Sequence, residues 1–258
     1  MKLLRVTLPP IVVFMLAAAL TEAFVRWQEI PPFRFPAPSA VFRTIVERRE
    51  SLFDALLNTA KAALLGFALS AIVGVVVAML LSTSRLIQRA FYPYTIFFQT
   101  VPIIAIAPML VLWFDFGLKA IAVSAFIASI FPVIANTLAG LLGTDPALRD
   151  LFKLYGATHV STMVKLKLPA ALPNLFTGLR IAAGLSVIGA IVGEFVAGEL
   201  TEGAGLGVLV IVANKRANTA YVFAAVLMAS LLGLAMLATI NLVSYLVLRR
   251  WHASEQNR

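Results

Sequence analysis

DLFKLYGATHVSTMVKLKLPAALPNLF, residues 150–176, is a polar segment that lies between two long apolar runs. Hydrophobic residues make up 61% of the 258-residue chain and charged residues 13%, about half of the roughly 25% that is usual in soluble domains. Several apolar runs reach the roughly 20 residues that a helix needs to cross a bilayer. The sequence therefore predicts an all-α polytopic membrane protein, with residues 143–175 outside the bilayer.

Six apolar runs are predicted as transmembrane helices. They cover residues 8–25, 58–81, 91–114, 120–142, 176–197 and 221–248. Lys2 and Arg5 precede the first run, which would also suit a signal peptide, but the run is too long and no small-x-small cleavage site follows it. An uncleaved first helix is therefore favoured.

Between the first two spans the sequence predicts a linker and an interfacial helix. IPPFRFPAPS, residues 30–39, has four prolines in ten residues and is typical of an extended linker. Ser39 is the expected N-cap of a helix over about 39–54, whose apolar and charged residues fall on opposite sides. This pattern favours a helix that lies in the membrane interface.

The basic residues predict the orientation. With the N-terminus inside, the cytoplasmic pieces hold 11 Lys and Arg, and the outer pieces hold 8. Cytoplasmic loops usually carry such an excess, so both termini and the polar segment are expected in the cytoplasm. These loops also explain the net charge of +9. No nucleic-acid partner is expected, because no basic stripe with interleaved aromatic residues lies outside the spans.

Prolines and polar residues within the spans indicate candidate pathway residues. Interior prolines kink the third and fourth spans, either around a central pathway or as simple packing irregularities. The tentative substrate-pathway residues are Gln99, Thr100, Pro102, Asn136, Ser186 and Glu194. An intramembrane carboxylate faces protein or a water-filled cavity. Glu194 is therefore open to three roles, which are pairing with a Lys or Arg near the outer surface, substrate contact, and proton relay in a proton-coupled secondary carrier.

Small residues at four-residue spacing predict close helix packing. Such faces are formed by Gly189, Gly193 and Ala197 in the fifth span and by Ser70, Gly74 and Ala78 in the second. These faces indicate helix contacts and do not by themselves indicate a homodimer.

The residues that usually carry catalysis are missing from the sequence. The chain has no cysteine and no phosphate-binding loop, and its two histidines are far apart. No catalytic residue, metal site or cofactor is therefore expected in this chain, and a non-enzymatic role is favoured.

The polar segment itself predicts a protruding elbow. Residues 150–155 favour a helix, Gly156 allows a sharp turn, and residues 157–164 fit a second short helix. Pro169 is expected to stop or redirect the chain. The elbow would protrude from the bilayer, and this chain has no part of its own that could supply energy. Such a protruding segment is best explained as a docking element for a separate subunit that supplies the energy.

The polar segment resembles the cytoplasmic signature of the inner-membrane permeases of bacterial ABC importers. That signature is E-A-A, three residues, G, nine residues, I-x-L-P. Gly156, the nine-residue spacing, Leu166 and Leu168-Pro169 match it, whereas Asp150-Leu151-Phe152 replaces Glu-Ala-Ala.

Other stretches are similar to one subfamily of these permeases, which imports nitrate, bicarbonate, alkanesulfonates and taurine and has relatives for thiamine-pyrimidine precursors and riboflavin. The similar stretches are FPAPS, VPIIAIAPMLVLWFDFG, FPVIANTLAG, LPAALPNLFTGLRIA and GEFVAGE followed by GLG. The resemblance implies a type I importer permease of about six spans in the bacterial inner membrane.

The resemblance also implies partners and site residues. The ATPase-coupling residues would be Asp150, Leu151, Phe152, Gly156, Ala157, Thr158, Leu166, Leu168 and Pro169. Expected partners are a second permease copy, two cytoplasmic ATPase subunits that hold ATP and Mg²⁺, and an extracytoplasmic solute-binding protein. The solute would be a small organic acid, a sulfonate or an aromatic or heterocyclic compound, with nitrate or bicarbonate as alternatives. A purely structural assembly subunit is the remaining functional alternative.

Overall fold

The computed structural model describes residues 2–198 and 203–249, and over these residues the chain is helical with no β-strand. The helices are α1 (Lys2–Trp27), α2 (Pro38–Glu47), α3 (Arg49–Leu81), α4 (Arg85–Thr100), α5 (Ile103–Phe114), α6 (Leu118–Leu142), α7 (Pro146–Leu154), α8 (His159–Thr162), α9 (Leu168–Ala197), α10 (Leu206–Lys215) and α11 (Thr219–Leu248). A π-helical turn, Met163–Lys167, joins α8 to α9. The predicted all-α class is confirmed.

Four helical segments of the described chain are long and apolar enough to cross a membrane. They are α3, α6, α11 and the continuous run His159–Ala197, which includes α8, the π-helical turn and α9. α4 and α5 give a fifth span if they are counted together, although they meet at 96°. The span predicted at 8–25 falls inside α1 and stays a prediction.

The third predicted span, 91–114, consists of two helices and not of one kinked helix. Pro102 has no N–H to donate, and it restricts Val101 before it to an extended conformation (φ −73°, ψ 121°). α4 ends and α5 begins on either side of these two residues. Pro93 and Pro108, in contrast, lie inside α4 and α5.

The helix predicted at 39–54 is also divided. Arg48 has a non-helical backbone (φ −109°, ψ 21°), so α2 ends before it and α3 begins after it. The Arg48 guanidinium lies over the Tyr221 ring of α11, 5.8 Å from the ring centroid. This cation–π contact holds the bend between α2 and α3 against α11.

A side chain of α1 caps the N-terminus of α2. The predicted N-cap Ser39 is wrong, because Ala37 takes that position and Ser39 lies in the first turn. The Glu22 carboxylate accepts hydrogen bonds from the Ser39 N–H at 2.9 Å and the Ser39 hydroxyl at 2.7 Å. Because a helix N-terminus carries a partial positive charge, a carboxylate at this place stabilises α2.

The core of the bundle is built where α6 packs against α3 and α9, which are the most extensive helix contacts of the described chain. A Cβ on Gly189 would lie 2.7 Å from the Ala128 Cβ, and one on Gly74 would lie 2.9 Å from the Val133 Cβ. The small-residue faces of α3 and α9 therefore lie against α6 of the same chain.

Residues 203–218 contain a helix that the sequence analysis placed in an outer loop. α10 buries Leu206, Gly207, Val208 and Ala213 and packs against α3, α9 and α11. These buried residues are apolar or glycine, and α10 therefore packs as part of the helix bundle. Glu199 of the GEFVAGE stretch and the cytoplasmic piece predicted beyond Arg249 lie outside the described residues.

Candidate functional site

The polar segment forms an elbow, residues 145–168, between α6 and α9. The Asp145 carboxylate accepts a hydrogen bond from the Ala147 N–H at 2.8 Å and caps the first arm, α7. Pro146 occupies the first turn of α7, where a missing N–H costs no hydrogen bond. The sequence thus starts the elbow at a defined residue.

Gly156 ends α7 in a Schellman turn. Its N–H donates to the Lys153 carbonyl at 3.0 Å, and the Ala157 N–H donates to the Phe152 carbonyl at 2.9 Å. Gly156 has φ +69°, a left-handed conformation that glycine adopts without steric cost. A Cβ at this position would meet nothing within 4 Å. The backbone conformation of the turn, and not lack of space, therefore selects glycine.

The second arm of the elbow continues into α9 without a break. Thr158 caps α8 by accepting a hydrogen bond from the Ser161 N–H at 3.2 Å. The Leu168 N–H donates to the Met163 carbonyl and closes the π-helical turn. The expectation that Pro169 stops or redirects the chain is wrong, since Pro169 lies in the first turn of α9. Its missing N–H falls where the π-helical turn already changes the hydrogen-bond pattern.

The elbow exposes several large apolar side chains beside the charged residues Asp150 and Lys153. Leu148 is 44% exposed and Leu151 is 45% exposed, while Leu154 and Tyr155 at the tip are 85% and 84% exposed. On the second arm Val160 is 73% exposed. The exposed apolar side chains of the first arm and tip, Leu148, Leu151, Leu154 and Tyr155, are called the elbow face below, whereas Val160 lies in a groove with Val76 and Leu80 of α3.

The predicted coupling residues divide into exposed and anchoring groups. Asp150, Leu151, Gly156 and Thr158 are exposed, whereas Phe152, Ala157, Leu166, Leu168 and Pro169 are half-buried. Leu168 packs against the core cluster that contains Leu141 and Ala171. The elbow is therefore exposed at its tip and anchored to the bundle at its α9 end.

Three of the tentative pathway residues lie at the bend between α4 and α5. Gln99, Thr100 and Pro102 are exposed there, and none of the α4 residues is buried. Backbone groups at a helix break need a protein or water partner inside a bilayer. The bend is therefore expected to face protein or water and not lipid.

Two other pathway candidates make hydrogen bonds within their own helices. The Asn136 Nδ2 donates to the Pro132 carbonyl at 2.9 Å, on the half-buried side of α6. Ser186 is fully buried and donates to the Ala183 carbonyl at 2.9 Å. Ser186 is packed in the core, so the structure does not place it on an open pathway within this chain.

Glu194 lies at a junction of α3, α9 and α10 and is only 2% exposed. Its Oε2 accepts a hydrogen bond from the Gly207 N–H at 2.6 Å. Next to it, the Thr59 Oγ1 accepts from the Leu206 N–H at 2.8 Å. The carboxyl group thus caps a helix N-terminus, and no Lys or Arg of the described residues forms an ion pair with it. We call Thr59, Glu194 and the first turn of α10 the α10 latch.

Thr59 and α10 were missed by the sequence analysis, as was the contact of Arg180. Arg180 on α9 donates from Nη2 to the Ser244 hydroxyl on α11 at 2.9 Å. The glycine pair that flanks Leu206 gave the one available signal for the latch, because such spacing permits close backbone approach. Every residue except proline carries a backbone N–H, so the sequence could not show which of them Glu194 binds.

The described residues offer surfaces for docking and passage. They hold no group of three or more His, Asp or Glu that could bind a metal ion. The groove between α9, α10 and α11 is lined by apolar side chains that include Val187, Ile191 and Val210.

Residues 70–252 match the family of binding-protein-dependent transport system inner membrane components. The chain belongs to this family. The matched residues include α4 to α9, and hence both the bend and the elbow. Members of this family are ABC importer permeases, which are transport components and not catalysts. The chain is accordingly a multi-pass permease subunit of the inner membrane, and a proton-coupled carrier is not favoured.

Relatives match over most of the chain. A protein of Haemophilus influenzae described as an ABC transporter permease is 36% identical over 85% of this chain and 88% of its own. The formylaminopyrimidine transport permease ThiX of Halalkalibacterium halodurans is 33% identical over 93% and 95%. The riboflavin transport system permease RibX of Chloroflexus aurantiacus is 31% identical over 94% and 90%.

A solved structure shows a similar fold. An amino acid ABC transporter, crystallised with histidines, aligns with a TM-score of 0.58 over 81% of this chain and 98% of its own. The two sequences are 20% identical, so this likeness concerns the fold alone. It confirms the predicted type I permease fold.

Proposed function

We propose that the elbow is the element through which a cytoplasmic ATPase drives this permease. The exposed elbow face carries the proposal, because apolar side chains gathered on a surface that faces water are typical of an interaction site. The N-terminus-inside orientation would place this face in the cytoplasm. ATP-driven closure of the ATPases would then move the elbow and change the access of the pathway from one side of the membrane to the other.

Leu151 and Phe152, which replace two small residues of the family signature, would have different roles. Leu151 is exposed on the elbow face, so it would contact the ATPase directly. Phe152 is half-buried, and its carbonyl accepts the hydrogen bond that closes the Schellman turn. Phe152 would therefore support the shape of the elbow.

The working transporter would contain two copies of this chain, two ATPase subunits with ATP and Mg²⁺, and a solute-binding protein on the outer side. The second copy is supported by α4, which has no buried residue in the single chain and exposes large aromatic side chains. The exposed aromatic residues of α4 are Phe91, Tyr94, Phe97 and Phe98. Contact with another copy would cover them and the bend beside them.

The solute would be a small aromatic or heterocyclic compound. ThiX and RibX, which match over more than nine-tenths of this chain, are named for a pyrimidine and for riboflavin. The apolar groove of the described chain is consistent with such a solute. Other relatives are named for aliphatic sulfonates, nitrate and bicarbonate, and these anions are the alternatives.

The docking role is tested by a charge on the elbow face. Leu151→Glu is expected to abolish copurification of the cognate ATPase, because a buried interface carboxylate without a partner is costly. Leu86→Glu is the control, since Leu86 is also an exposed leucine (78%, against 45% for Leu151) and lies in the other predicted cytoplasmic piece between two spans, residues 82–90. Equal recovery of the ATPase with both variants would show that the elbow face is not the docking site.

A further inference from the structure

We propose that Glu194 is a positioning residue that ties the first turn of α10 to α9, so that movement of the elbow reaches the turn after α10 on the outer side of the membrane. The proposal rests on the proposed coupling role of the elbow. It concerns the α10 latch, which is separate from the elbow and is not a contact with solute or nucleotide.

The latch fixes the first turn of α10 to two spanning helices. Glu194 of α9 and Thr59 of α3 accept the N–H groups of Gly207 and Leu206. The Asn58 Nδ2 adds a hydrogen bond to the Ala204 carbonyl at 3.3 Å. These acceptors satisfy N–H groups that a helix N-terminus leaves without partners, so α10 is held at its beginning.

Two glycines let the carboxyl group approach the backbone of α10. A Cβ on Gly205 would lie 2.0 Å from the Glu194 Oε1, and a Cβ on Gly207 would lie 2.9 Å from its Oε2. A side chain at either position would displace the carboxyl group. The contact is therefore close, and neither position has room for a side chain beside the carboxyl group.

The other end of α9 is the elbow. The run His159–Ala197 is a continuous helical segment of 39 residues, which spans about 58 Å at about 1.5 Å per residue. Glu194 lies in its last turn, and the second arm of the elbow forms its first turns. One uninterrupted helical run thus joins the elbow to the latch, and through the latch α10 would follow the displacement of the elbow.

The free end of α10 leads to an exposed turn. Asn214 to Asn218 are exposed and include Lys215 and Arg216. Under the predicted orientation this turn lies on the outer side, where a solute-binding protein would dock. The latch would thus connect the cytoplasmic side, where the ATPase acts, to the outer side, where the solute-binding protein would dock.

Glu22 provides a matched control within the same chain. Its carboxylate also caps an N-terminus, that of α2, through Ser39. α1, however, has no continuous helical connection to the elbow. Loss of Glu22 would remove the same kind of contact without breaking the line from the elbow to α10.

The test measures movement at both ends of α9 in the full complex of permease and ATPase. Because the chain has no native cysteine, Asn214→Cys and Lys165→Cys each accept a single spin label per copy. Distances between the two copies are recorded without nucleotide and with ATP, Mg²⁺ and vanadate.

Wild type and Glu22→Ala are expected to show a shift in these distances at both positions. Glu194→Ala is expected to keep the shift at 165 and to lose it at 214, and Glu194→Gln, which retains an acceptor oxygen, is expected to restore it.

An unchanged shift at 214 in Glu194→Ala would overturn the proposal. Absence of any shift at 165 in wild type would instead refute the coupling role of the elbow. If Glu194→Ala does not assemble, Gly207→Ala supplies the same test, because its Cβ would lie 2.9 Å from the Glu194 Oε2 and displace the carboxyl group. An unchanged shift at 214 in Gly207→Ala would then overturn the proposal.

Discussion

Ser70 of α3 and Ser129 of α6 lie with their hydroxyl oxygens 2.6 Å apart in the buried seam between two spanning helices. Backbone carbonyls offer both hydroxyls other acceptors, since Ala125 O lies 2.7 Å from the Ser129 Oγ and Phe126 O lies 3.0 Å from the Ser70 Oγ. This pair joins the helices that hold the centre of the bundle. Its contribution is limited because each hydroxyl retains an acceptor when the other is removed.

Replacing either serine of this pair is expected to cost little stability. A hydrogen bond between membrane helices contributes about 0.6 kcal/mol on average, so Ser70→Ala and Ser129→Ala should each destabilise by about this amount. Unfolding in detergent micelles, measured for both single variants and the double variant, gives the coupling between the two hydroxyls. A coupling above about 2 kcal/mol would exceed the largest known values for such bonds and contradict this assignment.

Adding one methyl group to α9 is expected to have opposite effects at two glycines. At Gly189 the new Cβ would lie 2.7 Å from the Ala128 Cβ and 2.8 Å from the Ala125 Cα of α6, so Gly189→Ala should destabilise. Overpacking of this kind costs about 1–3 kcal/mol. At Gly184 nothing lies within 4 Å, and alanine should stabilise the helix by up to about 1 kcal/mol. Thermal unfolding of the two variants in detergent should shift in opposite directions, and equal shifts would contradict the described packing of α9.

The elbow is expected to tolerate asparagine at position 156 better than valine. Asparagine visits the left-handed conformation that Gly156 adopts, whereas a β-branched residue is a genuine outlier there. Gly156→Asn should therefore retain most of the ATPase binding and uptake, and Gly156→Val should lose both. Since a Cβ at this position meets no atom within 4 Å, a loss of function that is equal in both variants would show that side-chain volume and not backbone conformation matters.

Prolines show what the sequence could not predict about the helix ends. Pro102 and Pro169 both follow apolar residues, and both were expected to disturb a helix. Pro102 separates α4 from α5, whereas Pro169 lies in a continuous helical run because a π-helical turn precedes it. Whether neighbouring carbonyls find other partners depends on tertiary packing, which residue order alone does not contain.

The elbow and the latch differ in how far they could be predicted. Gly156 carries a direct sequence signal, since few other residues adopt its backbone conformation, and the turn was expected at this residue. Glu194 was recognised as an unusual intramembrane carboxylate, but it binds the Gly207 backbone N–H of a helix that was not predicted. Backbone groups are the same at every residue, so only the fold shows which of them reach a buried side chain.

The decisive property of this permease is the dependence of its transport on ATP hydrolysis by partner subunits. It is tested by reconstituting the permease, its ATPase and its solute-binding protein in liposomes and measuring uptake of the solute that the binding protein carries. Uptake is expected when ATP is present on the ATPase side, with no uptake from a proton gradient alone and loss of uptake with Leu151→Glu. Uptake that follows the proton gradient without ATP would contradict it.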